Sequence, residues 1–163
     1  MVYNLALSYV QNREEAEEIT QDVFLQVHFK INTFKGASSL STWIYRIGIN
    51  KSLDFIKAKQ RKKRFAQLTS LFYDDSSDLR HDAQGFDHPG IQLEQKEALE
   101  RLFHHINELP SKQRTALILT KIEQKSQSEA SEIMELSIKA IESLIQRAKV
   151  NLDKKITLDK GIY

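Results

Sequence analysis

The sequence predicts an all-α protein made of two small helical domains joined by a flexible acidic linker, the second domain holding a helix-turn-helix. Three observations carry that expectation. Apolar residues recur every three or four positions through most of the 163 residues, only five Gly and two Pro interrupt them, and residues 70 to 88 turn polar and acidic. A chain of this length makes either one ordinary domain or two small bundles. The absence of cysteine removes disulfides, thiolate metal sites and cysteine nucleophiles, which fits a cytoplasmic protein. No apolar run approaches the roughly 20 residues that span a bilayer, and the N-terminus lacks a cationic leader, so no membrane insertion is expected.

Residues 1 to 10 read as the end of a helix, with Val2, Leu5, Ala6, Tyr9 and Val10 at helical spacing and no cap before them, which predicts native sequence upstream. Asn12 can cap a second helix over residues 13 to 31, with Glu15 as capping-box partner and acids crowding the positive end of the dipole. Asn32 to Thr42, with Gly36, Ser38, Ser39 and Ser41, reads as an ordered polar loop. A third helix is predicted from about Leu40 to Phe65. The linker follows, carrying Asp74, Asp75, Asp78, Asp82 and Asp87 around Gly85 and ending on Pro89 and Gly90; its composition predicts domains that move independently. Beyond it, helices are expected over Glu94 to Asn107 and Lys112 to Glu123, with Pro110 suiting a first turn. Ser126 with Glu129 makes a capping box for a helix to about Met134, and Ser137 can cap a last helix to about Ile156, the spacing of a helix-turn-helix. The domains would be residues 1 to 68 and 92 to 163, with the linker at 69 to 91.

A net charge of +2 implies no partner by itself, but its distribution is uneven: Lys57, Lys59, Arg61, Lys62, Lys63 and Arg64 form one run, and Glu14, Glu15, Glu17, Glu18 and Asp22 another. On the second helix Ala16, Ile19, Val23 and Val27 form a core stripe, while Glu18, Gln21, Asp22, Leu25 and Phe29 share another face. Two large apolar residues among acids and an amide suit a protein partner, and equally suit a neighbouring helix. The third helix is apolar on two sides, Ile44 and Ile47 on one, Tyr45, Ile49, Leu53 and Ile56 on the other. Between them runs a seam of Trp43, Arg46, Asn50, Asp54, Lys57 and Arg61 at spacings of three or four. Cations for phosphates, a π-face for stacking and an amide for base edges are what single-stranded nucleic acid requires. A core tryptophan beside a solvated charged stripe would have the same spacing.

In the last helix Ile138, Ile141, Leu144, Ile145, Ala148 and Leu152 form an apolar face, which leaves Ser137, Lys139, Glu142, Ser143, Gln146 and Arg147 outward. A recognition helix presents such a set to the major groove, where Gln and Arg read base edges and the cap and Lys hold phosphates. Catalytic patterns are thin. His81 and His88 fall in the linker, and His104 and His105, being adjacent on a helix, point about 100 degrees apart and cannot share a metal. There is no phosphate-binding glycine loop and no nucleophile motif, so neither an enzyme nor a cofactor is expected.

Taken together, NREEAEEITQDVF at 12 to 24, TFKGASSLSTWIYRIGINKSLDFIK at 33 to 57 and LPSKQRTALILTKIEQKSQSEASEIMELSIKAIESLIQRAKVNL at 109 to 152 resemble the extracytoplasmic-function (ECF) group of bacterial RNA polymerase sigma factors, in the sigma-70 family. The resemblance implies a core-polymerase-binding helix, a segment that melts and reads the minus-ten element, and a domain for the minus-thirty-five element. It implies that Gln21, Asp22 and Leu25, within the face from Glu18 to Phe29, contact the clamp coiled coil of the polymerase's largest subunit. Phe34, Gly36, Ser38, Ser39, Ser41 and Asn50 would border a pocket for a base flipped from the melted non-template strand. The cations after Lys57, including Lys62 and Arg64, would follow phosphates. An anti-sigma factor is a further partner that the resemblance implies. The turn position often held by Gly or Asn in the family is Glu135, and Ala130 and Ser131 stand where the family commonly has a bulkier apolar residue and Ala. Two other readings remain open from the residues alone: a helix-turn-helix regulator that never touches polymerase, and a helical metal-dependent hydrolase with converging His and carboxylates.

Overall fold

A computed structural model describes residues 1–72 and 93–160, and all the regular structure among them is helical. Helix α1 (Val2–Val10) ends where Gln11 turns left-handed, with φ 51°, and its side chain caps the carbonyl of Ser8 at 2.6 Å. Helix α2 (Arg13–Lys30) starts on Asn12, whose side chain accepts from the Glu15 backbone N–H at 2.9 Å. The reciprocal half of the expected capping box is not formed: the Glu15 carboxylate goes instead to Lys59 of α3. A 3-10 turn (Ile31–Thr33) leads into the polar loop, where Gly36 at φ 70° supplies a conformation that a side chain would strain. Ser39 caps α3 (Leu40–Phe72) by accepting from the Thr42 N–H at 3.0 Å.

Helix α3 is longer than its pattern predicts, running through Phe72 and so through the first positions assigned to the linker. The linker's aspartates, His81, His88, Pro89 and Gly90 lie outside the described residues. Helices α4 (Leu93–Asn107) and α5 (Ser111–Leu117) follow, with Pro110 at the cap position rather than inside the first turn. Helix α5 passes into a π-helical turn (Ile118–Ile122), closed by Glu123 N–H donating to the Ile118 carbonyl at 2.9 Å. Then come α6 (Gln127–Met134) and α7 (Ile138–Lys160). The capping box of α6 forms fully: Ser126 Oγ accepts from Glu129 N–H at 3.1 Å, and the Glu129 carboxylate accepts from Ser126 N–H at 2.8 Å. Those bonds hold the Glu129 carboxyl below its ordinary pKa, the Ser126 backbone bond foremost.

Three cores organise these helices. Val2, Ala6, Ala16, Ile19, Val23 and Ile47 close α1, α2 and one side of α3. Gly48 permits the approach of α1 to α3, since a Cβ there would meet Leu5 Cδ2 at 3.0 Å. Ile106, Leu109, Leu117, Ala148 and Leu152 join α4, α5 and α7. The third core spans both halves: Leu5, Tyr9, Tyr45 and Ile49 pack with Ala116, Ile118, Leu119, Ala130, Ile133, Ile141 and Ile145. Each such aliphatic side chain contributes on the order of 1.5–3 kcal/mol when fully buried. The second apolar side of α3 is therefore covered by the second half of the chain, and the expectation of independently moving halves meets a shared interior. Two smaller expectations are corrected. Ile138 lies outside the apolar face of α7, at 46% exposure, because it sits in the first turn before α7 reaches α6. Val27 is only partly buried at the far end of the α2 stripe.

Candidate functional site

Three surfaces carry the residues singled out above. On α2, Glu18, Gln21, Asp22, Leu25 and Phe29 are all exposed, Phe29 at 76%. Phe24 joins them at 57%, and with Thr20, Gln21 and Leu25 it lines a shallow cleft of about 440 Å3. Phe24 was missed in the sequence, although a large apolar residue off the Ala16–Ile19–Val23 stripe was itself a signal. Asp22 receives Lys51 Nζ of α3 at 3.3 Å, a surface pair that leaves the neighbouring apolar side chains uncovered.

The second surface is the loop and seam before and along α3. Phe34 packs on Trp43 with ring centroids 5.3 Å apart, and Trp43 also rests against the first core, so it is half-buried between loop and helix. Ser39 Oγ and Thr42 Oγ1 share a hydrogen bond of 2.9 Å, and Ser38 Oγ donates to the Ser39 carbonyl at 3.4 Å. Ser41 is exposed and donates to Met1 Sδ at 3.6 Å, while Gly36 marks the bend. Along the seam, Asn50 and Arg61 are exposed and Asp54 pairs with Lys57 at 3.6 Å. Lys62 and Arg64 are also exposed. The structure thus brings Phe34, the serines and Trp43 together, with Arg46 and Asn50 one and two turns further along.

Arg46 is already engaged. Its guanidinium donates to the Glu132 carbonyl at 2.8 Å and the Ile133 carbonyl at 3.3 Å, and pairs with the Glu135 carboxylate at 2.9 Å. Glu135 is the left-handed turn residue after α6, at φ 55°. Next to it, Tyr45 O–H donates to Glu123 at 2.9 Å, and Lys125 stands 5.1 Å from the Tyr45 ring centroid. Burial raises the Tyr45 pKa, and the Glu123 carboxylate raises it further. On α1, Tyr9 O–H shares a 2.7 Å bond with Thr115 Oγ1, and burial pushes its pKa up to about 12. Arg46, Asn50, Lys112, Thr115 and Glu135 border a cleft of about 260 Å3 between the halves. This whole set of contacts between halves went unread in the sequence, because residues some 70 to 100 positions apart give no local pattern.

The third surface is α7. Ser137 Oγ accepts from the Ala140 N–H at 3.2 Å as cap, and Lys139, Glu142, Ser143, Gln146 and Arg147 are exposed opposite buried Ile141, Ile145, Ala148 and Leu152. Gln146 and Arg147 line a cleft of about 250 Å3 with Gln113 and Asn151. His104 and His105 do not diverge as their adjacency suggests: their ring centroids are 5.8 Å apart, and both approach the Glu108 carboxylate, at 3.7 and 3.6 Å. His105 is buried against Asp159 at 2.7 Å, and among the described residues no group of His and carboxylates could hold a metal. Among them, too, no helix is long and apolar enough to cross a membrane.

Residues 1–62 match the sigma-70 region 2 family, and residues 99–152 match sigma-70 region 4. The chain belongs to the ECF group of the sigma-70 family. It is 27% identical over 168 residues to the ECF RNA polymerase sigma-E factor of Haemophilus influenzae, covering 94% of this chain and 87% of that protein. It is 26% identical over 158 residues to the RNA polymerase sigma-H factor of Pseudomonas aeruginosa, covering 95% and 80%. It is also 26% identical over 163 residues to the ECF sigma factor SigW of Bacillus subtilis, covering 95% and 82%. Two solved structures share the fold of this sigma factor. CnrH in complex with the cytosolic domain of CnrY superposes with TM-score 0.65 at 22% identity, over 97% of this chain and 81% of that one. The sigma factor RpoE in complex with the anti-sigma factor NepR from Bartonella quintana gives 0.61 at 24%, over 97% and 91%. The sigma-70 family is not an enzyme family.

Proposed function

We propose that this sigma factor binds core RNA polymerase and directs promoter-specific initiation in the cytoplasm, with no chemistry or cofactor of its own. The observation that carries the reading is the order of the two family matches on one chain, region 2 and then region 4. Residues 1 to 68 would hold polymerase and the minus-ten element, residues 92 to 163 the minus-thirty-five element, and 69 to 91 would connect them. Glu18, Gln21, Asp22, Leu25 and Phe29 form the polymerase face, supported by two exposed apolar side chains within an acidic surface. The loop from Phe34 to Ser41, with Trp43 and Asn50, takes the extruded base, while Arg46, Asp54, Lys57, Arg61, Lys62 and Arg64 flank the strand. Ser137, Lys139, Glu142, Ser143, Gln146 and Arg147 meet the minus-thirty-five duplex from one exposed helix face. An anti-sigma factor is a partner of this chain in the same reading, as NepR is of RpoE.

In vitro transcription with core polymerase on a library of genomic fragments tests the function, and two substitutions test the division of labour. Gln146→Ala with Arg147→Ala should weaken minus-thirty-five duplex binding by about 1–3 kcal/mol if either side chain contacts a base. Asn50→Ala should spare that duplex but reduce open-complex formation, measured with a fluorescent base analogue. Normal melting by Asn50→Ala would leave the seam a structural stripe, and failure to retain core polymerase in a pull-down would leave a helix-turn-helix regulator.

A further inference from the structure

The cationic run of α3 divides between two faces. Two residues along an α-helix turn a side chain by about 200 degrees, so Lys59 and Lys63 lie opposite Lys57 and Arg61. They line a separate cleft of about 370 Å3, walled also by Tyr9 and Ile56 and reached from the second half by Asn107 and Arg114. Arg114 is only 5% exposed. Its Nη1 donates to the backbone carbonyl and to Oδ1 of Asn107, both at 3.3 Å, and the guanidinium lies 5.5 Å from the Tyr9 ring centroid. Among the described residues its Nε has no hydrogen-bond partner and no carboxylate pairs with it. Among the described residues Glu15 is the one carboxylate on the cleft wall and is held by Lys59, and Lys63 has no ion pair.

A guanidinium taken out of water without a counter-ion is costly, and burial draws the Arg114 pKa below its ordinary value. Its planar fork suits an oxyanion that accepts two bonds at once, and the two lysines add charge at the mouth without fixing geometry. The geometry points to an anion site between Lys59, Lys63 and Arg114 that takes a small phosphate-bearing ligand. Phosphate fits better than a single carboxylate, because three cations facing one acid leave charge for a dianion and its several acceptor oxygens. Lys59 and Lys63 belong to the first half and Arg114 to the second, so the site is complete only while the halves are docked. A ligand there stabilises the docked arrangement by mass action.

Inorganic pyrophosphate is the probe, titrated into the full chain at constant ionic strength and followed by calorimetry and thermal melting. One-to-one saturable binding is expected, with a melting temperature that rises with ligand. Lys63→Gln, an exposed change that keeps the fold where Arg114→Gln could lose it, should weaken binding at least about fivefold. Lys149→Gln, on the exposed surface of α7, should leave it unchanged. No saturable signal below about 10 mM would overturn the site, as would equal weakening by Lys63→Gln and Lys149→Gln. A short single-stranded oligonucleotide whose binding falls in Lys63→Gln, where pyrophosphate binding does not, would assign these lysines to DNA and also overturn it.

Discussion

The outer face of α2 and the seam of α3 sit on adjacent helices of the same half, yet they meet opposite conditions. Phe24, Leu25 and Phe29 are exposed, whereas Arg46 is held by two carbonyls and a carboxylate of the second half, and Tyr45 and Ile49 are buried under it. The proposed polymerase face is thus exposed in the docked arrangement, while part of the proposed minus-ten surface is not. If both proposed surfaces are used, polymerase binding on α2 can precede separation of the halves, and use of the whole seam requires that separation. The difference comes from residue chemistry: α2 keeps acids around its exposed apolar residues, whereas the second apolar side of α3 has no charge between Tyr45 and Ile49 except Arg46.

The largest effect should come from the shared core. Leu119→Ala removes a fully buried side chain and should cost about 2–5 kcal/mol. Because Trp43 is the sole tryptophan and lies in the first half, its fluorescence reports whether that half loses stability with a substitution made in the second. An unchanged Trp43 transition would break the idea of one cooperative unit. Next comes alkaline opening. Tyr9 is pushed up to about 12 when folded, so its contribution is complete below the unfolded value near 10 and is lost as pH rises through 12, on the order of 2 kcal/mol. Tyrosinate absorbance should show two late-titrating groups, Tyr9 and Tyr45, and Tyr9→Phe should remove one of them and lessen the pH slope of stability.

Smaller still, Leu25→Ala should weaken core-polymerase binding by about 1–2 kcal/mol with the melting curve unchanged, read by surface-immobilised polymerase. Asp22→Lys should chiefly slow association, and it also sets two cations together where Asp22 now pairs with Lys51. The least change in stability belongs to Glu135→Gly. It relieves the left-handed strain at φ 55° and removes a partly exposed ion pair, two opposed effects each of about 1 kcal/mol or less. Its informative readout is binding of a single-stranded minus-ten oligonucleotide to the free protein, which should tighten; no gain would mean that the Arg46 clasp does not limit the seam.

Local chemistry made most helix boundaries legible. Asn12, Ser126 and Ser137 each cap the helix that their position suggests, and the box between Ser126 and Glu129 closes in both directions. Glu15 shows the limit of such reading, since a carboxylate with two possible partners chose the distant Lys59. The two-sided burial of α3 was also readable, but not its cause: Tyr45 and Ile49 announce that something covers them without saying that Ile118, Ala130 and Ile133 do. The exposed faces of α2 and α7 followed from periodicity. Arg114 did not, because one arginine in an amphipathic helix looks solvated until tertiary packing closes over it.

The π-helical turn at Ile118–Ile122 carries a further consequence for how this chain tolerates changes of length. A π turn holds one residue more than an α turn over the same advance, and here its unusual closure, Glu123 N–H to Ile118 and Lys125 N–H to Leu119, sets the direction in which Glu123 faces Tyr45. A single-residue deletion at the partly exposed Thr120 would let the segment relax into regular α-helix without breaking it. The helix would survive with its phase: everything from Ile122 onward would arrive close to its present orientation, whereas the same deletion in the regular turns of α5 would rotate it by about 100 degrees. In this stretch the wider turn takes up a spare residue, so the fit between the two halves tolerates a loss of length here that it would not tolerate one turn earlier.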